Sequence, residues 1–278
     1  MTAAASTKRR IAIAVTGIAA LALLSSPLPT AAASAATQTA PMAAKSHTTK
    51  SVSKSVSKAT TKAATKATAA RTQAAAAVAA ADYSSIFATQ QPALTNSGWA
   101  TCAAAITWSV DTSGLSADEA ATQIANLTWA FDQWTPASGL AFQYAGTENL
   151  AYDDAAFSLK PANGSAIQSR HIYLAFVADG DSARLGGGTV GLGSPSQVWP
   201  STKEIITGAA VFRTDHVKQA NAREDKSLYM HELGHVLGLA HASETSNIMY
   251  PVVSDHTDLG TGDVNGVRSM NKPCKAAA

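Results

Sequence analysis

The most constraining stretch of this 278-residue chain is the run His231-Glu232-Leu233-Gly234-His235-Val236-Leu237-Gly238-Leu239-Ala240-His241. Residues four apart share a helix face, so His231 and His235 can present two imidazoles to one point. Glu232 stands one step round the helix, beside that point. Gly238 supplies the left-handed turn in which a helix can stop, and the chain can then swing back to bring in His241. Three neutral nitrogens leave a divalent ion's charge largely uncompensated and one position open to water. That is the pattern of a catalytic zinc, whereas structural zinc is usually closed by four protein ligands. The run therefore assigns His231, His235 and His241 as metal ligands and Glu232 as a general base acting on water.

The segments before this run read as alternating strands and helices. Residues 104–110 alternate, with Ile106, Trp108 and Val110 on one face of a first strand. Ser116-Ala117-Asp118-Glu119 is a capping box, and Ile124, Leu127, Phe131 and Trp134 form the stripe of an amphipathic helix, which Pro136 and Gly139 should end. Residues 140–144, 171–177 and 208–212 read as further strands, with a glycine-rich stretch over 186–193. A second helix carries the histidines and a third is expected over 262–270. The order implies a mixed α+β domain.

At this point the residues resemble a known family. The run 231–241 matches the H-E-x-x-H-x-x-G-x-x-H signature of the metzincin metallopeptidases, and Ser246-Asn247-Ile248-Met249-Tyr250-Pro251 is similar to their methionine turn, with Met249 beneath the metal. Among metzincins the likeness is to the matrixins, carried by Gly234, Leu237-Gly238-Leu239, Met249-Tyr250-Pro251 and, towards the end, Asp263 and Asn265-Gly266-Val267. It covers residues 97–272 and is tightest over 228–251. The resemblance implies a twisted, mixed five-stranded sheet with two long helices and a small irregular C-terminal subdomain. It also implies a secreted zinc endopeptidase with one catalytic Zn2+, acting on extended protein or peptide substrates. Val190, Gly191, Leu192 and Gly193 would pair with the substrate, and Tyr250 and Pro251 would wall the pocket just past the cleaved bond.

The departures from that pattern matter too. Residues 36–96 contain no cysteine, so the matrixin cysteine switch is missing. The histidines that hold the matrixins' structural zinc align near Leu192 and Val211, and no structural zinc is expected. Asp179 and Asp181 have the oxygen-ligand character of a calcium site, although few ligands are visible and a plain acidic turn is the better account of them. Ala242 replaces a small hydroxyl residue, and Tyr250 follows Met249 too closely to act as a further ligand. Glu244, Asp255 and Asp258 are alternative third ligands should His241 not serve.

Charge divides the chain. Residues 1–81 hold ten basic and no acidic side chains, which leaves 11 basic against 19 acidic groups in the remainder. An acidic domain lacks the basic footprint of a nucleic-acid binder. Residues 1–35 read as a signal peptide: Lys8-Arg9-Arg10, an apolar stretch from Ile11, then Ala33-Ser34-Ala35. A short membrane anchor is the competing reading. Residues 36–96 are a low-complexity pro-segment or linker with lysines at a spacing of four, too poor in large apolar groups to fold by packing. This arm either merely solvates or binds an anionic cell-surface polymer, which would make the product cell-wall associated. Residues 97–278 would form the catalytic domain, expected to be a monomer. Cys102 and Cys274 fit one bridge across that domain in an exported chain; the alternative is a free Cys102 ligating the metal.

Overall fold

The computed structural model describes residues 82–101, 104–186 and 188–273. Along them run β1 (Ile106–Asp111), α1 (Ala117–Ser138), β2 (Phe142–Thr147), β3 (Leu150–Asp153), β4 (Ser158–Pro161) and β5 (His171–Val177), then β6 (Gly191–Trp199), β7 (Glu204–Arg213), α2 (Thr214–Gln219), α3 (Ala222–Val236) and α4 (Thr261–Met270). Five strands form one sheet in the order β2-β1-β5-β7-β6. The first four are mutually parallel, and β6 runs antiparallel along the edge of β7. β3 and β4 make a separate antiparallel pair. The mixed five-stranded sheet and the two long helices, α1 and α3, agree with the α+β expectation.

Local chemistry explains most element ends. Ser116 accepts from the Glu119 amide, while the Glu119 carboxylate accepts from the Ser116 amide at 2.7 Å. These two bonds satisfy donors that the first helical turn leaves open. At the other end the expectation needs correction. Pro136 does not stop α1, which runs on to Ser138; Gly139 (φ 69°) ends it, its amide donating to the Thr135 carbonyl. In the last turn the missing proline N–H removes one bond without breaking the helix. The second strand likewise starts later than expected, at Phe142.

Packing on both faces makes β5 the centre of the domain. Ile172, Leu174 and Phe176 join the core beneath α1 and α3. Tyr173, Ala175 and Val177 pack on the other side with Leu150, Phe157 and Leu159 of the small hairpin region and with Leu185. A strand covered on both sides reads as a continuous apolar run, as residues 171–177 do. Two indoles tie other segments to α3: Trp134 Nε1 donates to the Met230 carbonyl at 3.0 Å, and Trp99 Nε1 to that of Val236 at 3.1 Å.

The domain also begins earlier than expected. Phe87 and Leu94 are buried in the main core, and Ser85 pairs with Leu239, so the packed unit starts by Asp82 rather than at residue 97. The few large apolar residues there show no sustained helical or strand period. The expected signal peptide, the lysine-rich arm, Cys102 and Cys274 lie outside the described residues. No helix among the described residues is long and apolar enough to cross a membrane.

One buried acid tests the packing of α1 on α3. Asp225 is 3% exposed; its Oδ2 accepts from Gln123 Nε2 at 3.0 Å, and Gln123 Oε1 accepts from the Tyr229 hydroxyl at 2.7 Å. Oδ1 has no partner. Burial raises its pKa from 3.8 to about 6, against the pull of the Gln123 hydrogen bond. An acid whose folded pKa lies above its unfolded value stabilises the fold only while protonated, so this contribution is lost as pH rises through about 6. Asp225→Asn should therefore raise Tm at pH 7.5 by about 2–4 °C and lose that advantage near pH 4 in thermal melts. An unchanged or lower Tm at pH 7.5 would show that the carboxylate is satisfied.

Candidate metal centre

Helix α3 starts on Asn221, whose side chain accepts from the amides of Arg223 and Glu224, while Glu224 caps in return. That start sets the register which puts His231 and His235 one turn apart. The helix ends in a Schellman motif: the Leu239 amide donates to the Gly234 carbonyl at 3.0 Å and the Gly238 amide to that of His235 at 2.9 Å, with Gly238 at φ 106°. A side chain there would be strained, so the reversal that returns His241 depends on this glycine.

The three rings converge. Their ligand-capable atoms lie within 4.8 Å of one another, and His235 Nε2 is 3.2 Å from His241 Nε2. Two nitrogens bound to one tetrahedral zinc at ordinary lengths sit about 3.3 Å apart, so the spacing fits. The tautomers fit as well. His231 Nδ1 donates to the Ile248 carbonyl and His235 Nδ1 to that of Leu239, each at 2.8 Å, leaving Nε2 free to ligate. Burial, helped by mutual repulsion, lowers the pKa of His231 to about 4 and holds that of His235 well below its ordinary value; burial lowers that of His241. Ligands must be neutral, and these are. Among the described residues this is the one His/Cys/Asp/Glu group that could hold a metal.

The expected methionine turn lies under the site. Met249 is buried, and a Cβ at Gly234 would stand 2.2 Å from its sulfur. The turn is fixed by Asp263, which the sequence marks as part of the matrixin-like C-terminal segment but without its bonds to the turn. Its carboxylate accepts from the amides of Ile248 at 2.6 Å, Met249 at 3.2 Å and Gly260 at 2.8 Å. A chain of hydrogen bonds thus runs from Asp263 through Ile248 to His231. The sequence signals for Asp263 are that resemblance and its place as an acidic residue in the first turn of α4.

Glu232 is buried beside the histidines, and burial raises its carboxyl to about 8, opposed by a hydrogen bond from the Gly193 amide. β6 passes directly over it: a Cβ on Gly191 would meet Glu232 Oε1 at 2.8 Å, and one on Gly193 would meet the Glu232 carbonyl oxygen at 2.1 Å. Of the expected Val190, Gly191, Leu192 and Gly193, the two glycines are thereby brought against Glu232 at the sheet's edge, while Leu192 packs on the sheet's other face. Beside His231 opens a pocket of about 160 Å3, lined by Ser227, Ile248, Tyr250, Val252, Val253 and His256 among others. Tyr250 lines this pocket. Pro251 is not among the lining residues.

Other expected positions stay apart. Asp179 and Asp181 are exposed and join no metal-capable group among the described residues, so calcium gains no support. Their loop is held by Asp154, whose carboxylate accepts from the Tyr152 and Ser182 hydroxyls and the Ala183 amide. Leu192 and Val211 are cross-strand partners in the apolar cluster on the sheet's second face. Glu244, Asp255 and Asp258 are exposed and lie outside the histidine group.

Comparison with known proteins agrees with this geometry. The family model described as Matrixin matches residues 98–272. A curated relative, metalloendoproteinase 1 of Glycine max, is 26% identical over 149 residues, covering 51% of this chain. The chain spans 43% of that relative's length.

The contact between Gly234 and the methionine turn generates a prediction. Gly234→Ala should destabilise the fold by about 1–3 kcal/mol through overpacking, read as a lower denaturant midpoint. An unchanged midpoint would mean that Met249 moves aside freely.

Proposed function

Because this chain belongs to the matrixin family, we propose that it is an exported, zinc-dependent endopeptidase that uses Glu232 as general base and then general acid. The observation that carries the reading is the convergence of three neutral imidazoles, two of them 3.2 Å apart, with a buried carboxylate on the adjoining helical position. His231, His235 and His241 would hold the ion. When bound, zinc supplies Lewis acidity: it polarises a carbonyl, acidifies water and favours the ionised form of a neighbouring carboxyl.

The protein's own groups do the rest. The ionised Glu232 carboxylate takes a proton from the attacking water, then delivers it from the same oxygen to the leaving amine nitrogen. The upward push of burial on Glu232 helps it keep that proton until the amine receives it. Substrate lies extended along β6, pairing with main-chain groups of residues 190–193; such recognition tolerates varied sequences. The side chain just past the cleaved bond enters the pocket bounded by Tyr250 and Val252. Export by residues 1–35 and a Cys102–Cys274 bridge belong to the same proposal. The bridge is supported by the described neighbours of both cysteines, since the Thr101 amide donates to the Lys272 carbonyl at 3.0 Å.

Glu232→Gln should keep one zinc per chain while kcat/KM on a protein substrate falls by about 10²–10⁴-fold, and a chelator should silence the parent until zinc is restored. Turnover within a few-fold of the parent in the Gln variant would remove Glu232 from the mechanism.

A further inference from the structure

His241 differs from the other two histidines in how it is held. His231 and His235 each donate from Nδ1 to a backbone carbonyl, whereas the ring of His241 makes no hydrogen bond among the described residues except its approach to His235. It also sits past the end of α3, on irregular chain. Something other than its own ring must therefore place it.

Besides the Ala242 amide, which donates to the Met249 carbonyl at 2.9 Å, that something is the segment that opens the domain. The Ile86 amide donates to the Gly238 carbonyl at 2.9 Å, and the Ala240 amide donates to the Ser84 carbonyl at 2.8 Å. This pins the residue just before His241. Two residues after His241, the Asp82 carboxylate accepts from the Ser243 amide at 2.9 and 3.1 Å and from the Ser243 hydroxyl at 2.7 Å. It also accepts from the Glu244 amide at 2.7 Å and from Asn247 Nδ2 at 2.8 Å. Asn247 in turn accepts from the Gly262 amide at 3.0 Å, which links the strap to the first turn of α4. Hydrogen bonds to an ionised acceptor are roughly twice as strong as neutral ones. His241 is thus clamped on both sides by residues 82–86, which precede the stretch matched by the family.

We propose that Asp82 is a positioning residue for the third metal ligand, so that any removal of the N-terminal arm must cut before Asp82 for the metal site to keep its affinity. The inference rests on the zinc reading above. Its consequence is that the alanine-rich residues 74–81 are the last place at which the arm can be removed harmlessly. Trimming beyond Ser84 would remove the Asp82 and Ser84 acceptors on the two sides of His241 together, leaving the bond from the Ala242 amide to the Met249 carbonyl.

The test uses the full chain, with zinc affinity measured by competition against a chromogenic chelator and folding followed by melts of the zinc-depleted protein. Asp82→Ala should bind zinc about 10–100-fold more weakly than the parent, the range seen when groups that orient metal ligands are removed, while the zinc-depleted forms melt together. Equal zinc affinity in Asp82→Ala and parent would overturn the proposal. If Asp82→Ala does not fold, Asp82→Asn, which keeps the shape and one acceptor oxygen, decides by the same measurement. A parent that binds no zinc would instead defeat the peptidase reading itself. N-terminal sequencing of the active, processed product supplies a second check: a start at or before Asp82 supports the strap, and an active form starting after Asp82 contradicts it.

Discussion

The site depends on one reversal of the chain. Two histidines a turn apart on a helix are a common occurrence; a third joins them here because α3 stops within two residues of His235. The 6→1 and 5→2 hydrogen bonds at Leu239 and Gly238 close the helix, and the positive φ of Gly238 turns the backbone back over its own last turn. The ligand spacing of 3.2 Å follows from that turn. A β-branched residue at 238 would direct the chain elsewhere and leave a two-nitrogen site.

Around the reversal, three layers press on α3. The methionine turn packs so closely on Gly234 that no methyl fits. β6 packs equally closely over Glu232. The opening segment holds the far side of the turn through Ser84 and Ile86. Asp263 and Asp82 play matching parts: each is an acceptor serving several backbone amides, one beneath His231 and one beside His241. The second face of the sheet takes a different course, since apolar Leu192 and Val211 pack where the resemblance would place imidazoles, and Asp154 ties down the neighbouring loop.

Much of this was legible in the sequence where the signal was local. The Ser116 capping box, the stripe Leu127, Phe131, Trp134, the apolar run of β5 and the spacing of the three histidines are each fixed by residues within a turn or a strand, and each was found. Pro136 misled because its effect depends on its distance from the helix end. Strands β3 and β4 are four residues apiece, too short for alternation to show. Asp82 and Asp263 act across 161 and 15 residues of chain; a carboxylate that caps a distant loop has the same sequence appearance as a solvated one. Phe87 and Leu94 were hidden for a similar reason, because their partners lie far along the chain.

The central claim is a coordination set, and X-ray absorption at the zinc edge of the purified protein measures it most directly. The account predicts three nitrogen neighbours at about 2.0–2.1 Å, one further light oxygen neighbour and no sulfur. A sulfur shell near ~2.3 Å would place a cysteine on the metal. That result, or only two imidazole nitrogens, would contradict the convergence of His231, His235 and His241 on which everything else rests.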